Sequence, residues 1–543
     1  MSARVMILGL DGVSWQLTQK LMADGKMPTL RRMVEQGASG PLYSTIPNIS
    51  PTAWTTFMTG KSPGQHGLYG FAVKVEGSYL LEPFSAGRVK PGRTLWEVLS
   101  GEGKRVAVFN VPMTFPAKPL NGIMITGLGA PSEEAKHFCY PSNILNELRS
   151  ELGPYIFDLH WTRYASRGVS AVVEDARKMT RCRADYGLKI LQGSDWDLFT
   201  LVFVATDRLQ HCAWKYLQNL EEPLSADEES VRAKVVDYYQ YLDGMIAEFL
   251  AASPESDVLV MSDHGFGPCA ATVQTNTWLG QEGFLTWTRQ NAARYRGAVQ
   301  LTKRLGIKRK HFRKVAEFLG FDAYRQLEKV TEGPNSIDWS KTRAFSYTPS
   351  GIYFNLKGRE RQGIVEPGTE AEKLFDEIKE RLLALRDPLT GNRVVLEVSR
   401  THEVYNGAKS TLAPDLIVSE LNDGYELNFS QRATPEVFER SEWRSGAHHP
   451  EGLLVACGPS IQEGKRFDRA VLEDLCPTVL YMMKEPIPED VDGRVLKEIL
   501  SLPESEVQVV KTCAPEAATP DETLSAEEQK MVFERLKALG YFE

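Results

Sequence analysis

Three short apolar runs each end on an aspartate, and this pattern constrains the fold of the 543-residue chain more than any other. VMILGL (Val5–Leu10) runs into Asp11, LFTLVFVAT into Asp207, and DVLVMS into Asp263 and His264. Runs this short and this rich in β-branched and aromatic residues read as strands buried on both faces, the signature of parallel sheets. Val5–Leu10, Val106–Asn110, Ile123–Thr126, Leu198–Val204 and Val258–Met261 are the clearest, and helical patterns such as Gln16–Gln36 and Asp227–Ala252 lie between them. Alternating strands and helices predict an α/β fold, a doubly wound and mostly parallel sheet with helices on both faces. In such sheets ligands bind beyond the carboxyl ends of the strands. One aspartate there is usually a turn or cap residue, but three such ends, with histidines close to two of them, predict a site.

The texture changes after Pro268. Residues 289–325 are dense in Lys and Arg, including Lys308, Arg309 and Lys310, with apolar residues at helical spacing. This segment reads as an inserted helical cap. It is either a solvated face or a rim for a polyanionic substrate or an anionic membrane surface. Mixed α/β texture returns over 340–430, and Leu453–Ala456 reads as a further core strand. The resulting division is 1–270 as core, 271–430 as cap and mixed region, 431–501 as the rest of the core, and 502–543 as linker and C-terminal helix. In that helix Ser525 and Glu528 fit a capping box, and Met531, Val532, Leu536 and Leu539 can share one face.

Composition narrows the function classes. A net charge of −8 is unlike a dedicated nucleic-acid binder. The seven cysteines are scattered and form no CxxC pair, which fits reduced thiols. No window approaches the ~20 apolar residues of a membrane span, and the first residues lack the pattern of a signal peptide. A cytosolic protein is expected.

Asp207 and His211 are four residues apart, so one helix would present both on one side. Carboxylate and imidazole together are a common ligand set for zinc and other transition metals. Aspartates crowded at one sheet edge repel one another, and a divalent cation relieves that. In IPNISPTAWTTFMTG, Pro51 suits the first position of a helix, which puts Ser50 at the N-cap and Gly60 past the end. That helix start favours anions, although a capping serine is also common on its own.

LGLDG, SPTAWTTFMTG, SPGQHG, TDRLQH, SDHGFG and GAHHPEG, in that order, resemble the type I phosphodiesterase / nucleotide pyrophosphatase branch of the alkaline phosphatase superfamily. CPTVLYMMKEPIPEDVDGRVL resembles that superfamily's C-terminal signature, so the resemblance spans about residues 4–500. It implies a phosphoric ester hydrolase with two divalent ions, zinc with manganese as the alternative. Asp207, His211 and His448 match the ligands of the first ion, and Asp11, Asp263 and His264 those of the second. Ser50 matches the nucleophile, which also binds metal and forms a phosphoseryl intermediate. Thr52 and His449 are the rivals of Ser50 and His448, and His66 matches a position that is not a ligand. An asparagine that assists phosphate binding in nucleotide pyrophosphatases falls opposite Phe71, so their substrate range does not carry over.

The small-molecule substrate is expected to be a phosphodiester or pyrophosphate-type ester. No cation follows Ser50 until Lys61, a monoester brings more charge to compensate, and Arg208 is the remote candidate to supply a cation. Trp54, Tyr69 and Phe71 could offer apolar contact to a second ester group, though Trp54 fits a core position as well. The alternatives are a phosphomonoesterase of the same superfamily and a non-catalytic binding member that kept the fold. A sulfatase is disfavoured because Thr52 and Trp54 stand where Pro and Arg would follow the nucleophile.

Overall fold

The computed structural model describes residues 4–75, 77–83, 92–288, 336–431, 433–434, 436–502, 509–510 and 524–539. The basic segment 289–325 lies outside them, as does most of the proline-rich linker.

A ten-stranded sheet forms the core. Its order is Lys465–Arg466, Ala38–Tyr43, Glu451–Cys457, Asp257–Met261, Val5–Leu10, Leu198–Phe203, Val106–Phe109, Gly122–Ile125 and Cys139–Tyr140, with Ala470–Val471 pairing beside Ala38–Tyr43. The five strands from Asp257–Met261 to Gly122–Ile125 are mutually parallel, while Glu451–Cys457 runs antiparallel to both of its neighbours. Val5–Leu10, Leu198–Phe203 and Asp257–Met261 are buried at every position, the reason they read as unbroken apolar runs. Helices Val169–Gly193 and Ala226–Ala252 pack on each other, as do Ser50–Thr59 and Leu475–Met482, and all contribute to the main hydrophobic cluster.

Gln16–Gln36, expected as one helix, is two: Trp15–Ala23 and Pro28–Gln36. Pro28 opens the second, and its ring keeps Met27 out of the α region (φ −128°, ψ 67°).

The long strand Gly265–Gln274 leaves the main sheet and builds a second one with Gly424–Asn428, Phe438–Glu439 and Gly446–His449. Beyond it, Ala344–Thr348, Gly351–Phe354, Leu416–Leu421 and Val395–Arg400 form an antiparallel sheet, backed by helix Thr369–Ala384. These elements share a second hydrophobic cluster that also includes Tyr79, Ala271 and Val437. No helix among the described residues is long and apolar enough to cross a membrane.

Candidate metal centre and active site

The parallel register sets Gly9 beside both Val202 and Met261. Asp11, Asp207 and Asp263 therefore emerge at one edge of the sheet, and all three are buried. Backbone and side chains lock the loops together. Gly12 N–H donates to Asp263 Oδ1 at 3.1 Å, Gln210 Nε2 to the Gly12 carbonyl at 2.9 Å, and Thr206 Oγ1 to the Asp11 carbonyl at 2.6 Å. Gly12 is required there: its φ is +77°, and a Cβ would lie 2.7 Å from the Phe266 ring.

The helix that follows the second run, Ala205–Ala213, carries both Asp207 and His211. His448 arrives from 237 residues further on because Gly446–His449 pairs antiparallel with Gly265–Pro268, which places His448 opposite Phe266. His448 Nε2 then lies 3.1 Å from Asp207 Oδ1 and 3.3 Å from His211 Nε2. On the other side, His264 Nε2 lies 3.3 Å from Asp263 Oδ2 and 3.7 Å from Asp11 Oδ1. The two groups adjoin: the His264 and His448 rings stack at 3.9 Å, and ligand atoms of Asp207, His264 and His448 come within 4.8 Å of one another.

The three histidines are held alike. His211 Nδ1 faces the Gly446 carbonyl (3.3 Å), His264 Nδ1 that of Gly265 (3.0 Å), and His448 Nδ1 that of Asn48 (3.2 Å). A carbonyl only accepts, so each Nδ1 carries the proton and each Nε2 turns a lone pair inward. Burial disfavours the imidazolium in all three, pulling His211 well below its usual value and His448 down to about 4. Burial also holds the Asp11 and Asp263 carboxyls well above the usual carboxylate range, with further repulsion from Asp263 and Asp207 on Asp11 and from Asp207 on Asp263. Asp263 Oδ2 is buried with no hydrogen-bond donor among the described residues. Acceptor atoms thus face one another across a largely buried site, an arrangement that a divalent transition-metal cation satisfies.

Ser50 is the first residue of helix Ser50–Thr59, one position inside the expected cap, with Ile49 as N-cap and Gly60 ending the helix in the left-handed region. Its Oγ lies 3.5 Å from Asp11 Oδ1 and 3.3 Å from His264 Nε2. Thr52 is buried and its hydroxyl makes no hydrogen bond among the described residues. His449 turns outward, accepting from Glu451 N–H and lying 3.7 Å from Asp423. His66 accepts from Leu68 N–H at Nδ1, so its Nε2 donates to Thr56 Oγ1 at 2.9 Å, a packing role.

The supporting contacts of several residues were not legible in the sequence, although a core position was one of the two readings open to Trp54. Trp54 is core: its ring fills the space over Gly9, where a Cβ would come within 2.5 Å, and its Nε1 donates to Asp11 Oδ2 at 3.1 Å. Tyr69 packs on Tyr405 and Phe71 is buried, so none of the three aromatic candidates lines the cavity at the site. Arg208 is fully buried, donating to Asp207 and, at 3.0 Å, to Asp158. Lys61 is bound to Asp490. Of the seven predicted residues only His448 is not fully buried, and it opens onto a cavity of about 300 Å³. Asn48 and His449 line the core side of that cavity, and Ser350, Glu420 and Asp423 the cap side.

The family model for type I phosphodiesterase / nucleotide pyrophosphatase matches residues 5–451. The chain belongs to that family. It is a phosphoric ester hydrolase. No curated protein sequence matches it. Among solved structures, phosphonoacetate hydrolase from Sinorhizobium meliloti 1021, in complex with phosphonoacetate, aligns at TM-score 0.54 and 14% identity, covering 89% of this chain and 95% of its own. Human ectonucleotide pyrophosphatase / phosphodiesterase 5 covers 92% of this chain and 100% of its own at 13% identity and TM-score 0.47. Only the former bears on the fold, and at that identity it speaks to the fold alone.

Proposed function

We propose that this member of the family cleaves phosphodiester or pyrophosphate-type bonds through a phosphoseryl intermediate on Ser50, with two divalent ions of the zinc type. Asp207, His211 and His448 would hold one ion, and Asp11, Asp263, His264 and the Ser50 oxygen the other. The observation that carries the reading is the Ser50 hydroxyl at the start of a buried helix, against Asp11 and His264. Bound ions supply Lewis-acid charge, which lowers the nucleophile's pKa and offsets charge on the phosphoryl group.

The remaining work falls to side chains. Trp54 holds the Asp11 carboxylate in place, and the three backbone carbonyls keep the imidazoles in one tautomer. Free N–H groups at the helix start favour the phosphoryl oxygens. Ser50 Oγ forms the bond to phosphorus as the ester oxygen leaves. Water then takes the phosphoryl group and the Ser50 oxygen departs in turn.

A diester preference is supported by the state of the nearby cations. Lys61 is committed to Asp490, and Arg208 to Asp158 and Asp207, so neither is placed to offset a monoester's second charge. The cytosolic setting belongs to the same reading, supported by six described cysteines that are all free. The deciding measurement is kcat/KM for bis-p-nitrophenyl phosphate against p-nitrophenyl phosphate, each corrected for its uncatalysed rate. We expect the diester to show the larger rate enhancement. A tenfold advantage for the monoester, about 1.4 kcal/mol of transition-state preference, would replace this reading with a phosphomonoesterase.

A further inference from the structure

One segment outside the metal-ligand set touches His211 directly and reaches Asp207 through Arg208, both predicted ligands on helix Ala205–Ala213. Asp158 accepts from Arg208 Nε at 3.0 Å and from Nη2 at 3.3 Å, and Arg208 in turn donates to Asp207. Three residues later the Trp161 ring stacks on the His211 imidazole, with centroids 4.9 Å apart and planes 14° apart. The same segment is held by the C-terminal helix Ala526–Ala538. Trp161 Nε1 donates to the Leu539 carbonyl at 3.0 Å, and the Arg535 guanidinium lies 4.2 Å over the Phe157 ring. Val532, Leu536 and Leu539 are buried beneath that helix, whereas Met531, expected on the same face, is 40% exposed. The C-terminal helix lies beyond the 5–451 match of the family model, whereas the segment it holds lies within that match.

We infer that the C-terminal helix positions the His211 side of the metal centre, with Trp161 as the positioning residue between them. The inference rests on His211 being a metal ligand, as proposed above. The Gly446 carbonyl holds Nδ1 but leaves the imidazole free to swing about that hydrogen bond. The flat indole on one face and the Phe266 edge at 4.9 Å set the ring plane. The indole is itself a plate whose tilt is fixed by its N–H bond to Leu539, 378 residues away in sequence. Releasing the helix frees the indole, and the Nε2 lone pair loses its aim. Partners of metal-ligating histidines typically contribute about 10–100-fold to metal affinity or activity.

The test uses the full-length chain, with zinc affinity measured by competition against a chromogenic chelator, alongside kcat, KM and thermal unfolding. Trp161→Leu removes the stack. Trp161→Phe keeps a flat ring but loses the N–H. Leu536→Asp undocks the helix. Trp161→Leu and Leu536→Asp should each weaken one of two zinc sites about tenfold or more and lower kcat with little change in KM, with Trp161→Phe in between. In the double variant Leu536→Asp should add little to Trp161→Leu, because both act through one contact. If Leu536→Asp lowers the melting temperature but leaves both zinc affinities at the wild-type level, the helix only stabilises and the inference falls. His211→Ala separates the two levels: retention of both zinc sites in that variant would remove His211 from the ligand set itself, whatever the helix does.

Discussion

Asp11 and Asp207 stand at the ends of neighbouring parallel strands, yet their surroundings are opposite. Asp11 and its partner Asp263 receive hydrogen bonds from neutral groups, the Trp54 indole and the Gly12 N–H. Burial and carboxylate repulsion dominate there, and both carboxyls are pushed well above their usual range. Burial acts on Asp207 too, but the Arg208 guanidinium that donates to it helps hold that carboxyl well below its usual range. The Asp207 side therefore has a guanidinium of the protein against it, whereas the Asp11–Asp263 side is the one where, under the proposed function, a bound cation would offset the repulsion. The proposed nucleophile, Ser50, stands on the Asp11 side, against Asp11 and His264, where an added cation would change the local charge most.

The largest effect should follow from Ser50. Ser50→Ala should keep the fold and lose turnover by about 10³-fold or more, with Thr52→Ala within a few-fold of wild type. Steady-state kinetics with circular dichroism checks both. The reverse pattern would move the nucleophile by half a helical turn and break the comparison at its root.

Chelation should abolish activity, and zinc or manganese should restore it. Elemental analysis alongside the assay identifies the failing result, full activity in protein shown to be metal-free.

The sharpest contrast lies in the metal-free protein. Asp263→Asn removes a carboxylate whose folded pKa is raised, a group whose cost to stability builds up as pH rises above the unfolded value towards the folded one, so the metal-free variant should be more stable at pH 7. Asp207→Asn removes a carboxylate whose folded pKa is depressed, a group that contributes stability above the unfolded value. That variant should lose about 1.5–3 kcal/mol, the worth of charged hydrogen bonds. Urea unfolding at pH 7 reads both signs, and equal shifts in one direction would erase the distinction. With metal present, both variants should lose activity.

The smallest effect concerns His66, which lies outside the ligand set. Burial first, then Lys409 and Lys61, lower its pKa to about 3. A depressed pKa contributes stability above the unfolded value near 6.5, lost as pH falls towards 3. His66→Gln should flatten the acid side of the stability profile between pH 6 and 4 by up to about 1.4 kcal/mol per pH unit. Superimposable slopes would show that His66 takes up its proton normally.

The split between the two sides also follows what could be read in the sequence. Asp11, Asp263 and His264 each follow directly on a strand that announces itself as an apolar run, because a strand buried on both faces has no polar position to spare. Ser50 was placed to within one residue by Pro51 and Gly60, since proline and glycine have restricted places at helix ends. The helix break before Pro28 was missed because the apolar spacing continues across it.

The choice between His448 and His449 illustrates what spacing could not settle alone. Adjacent residues of a strand point to opposite sides, so the pairing of Gly446–His449 with Gly265–Pro268 decides which imidazole turns inward. Trp54, Arg208, Asp158 and Trp161 carried no local signal for their roles. A buried indole or guanidinium looks the same in sequence whether it merely packs or holds a ligand. By itself the sequence determined the sheet, the edge where the acids gather and the residue types of the centre, because burial and strand ends leave short-range patterns. Which atoms face one another, which cations are already engaged and which distant helix reaches the centre were decided only by the tertiary structure, because they depend on contacts between segments hundreds of residues apart.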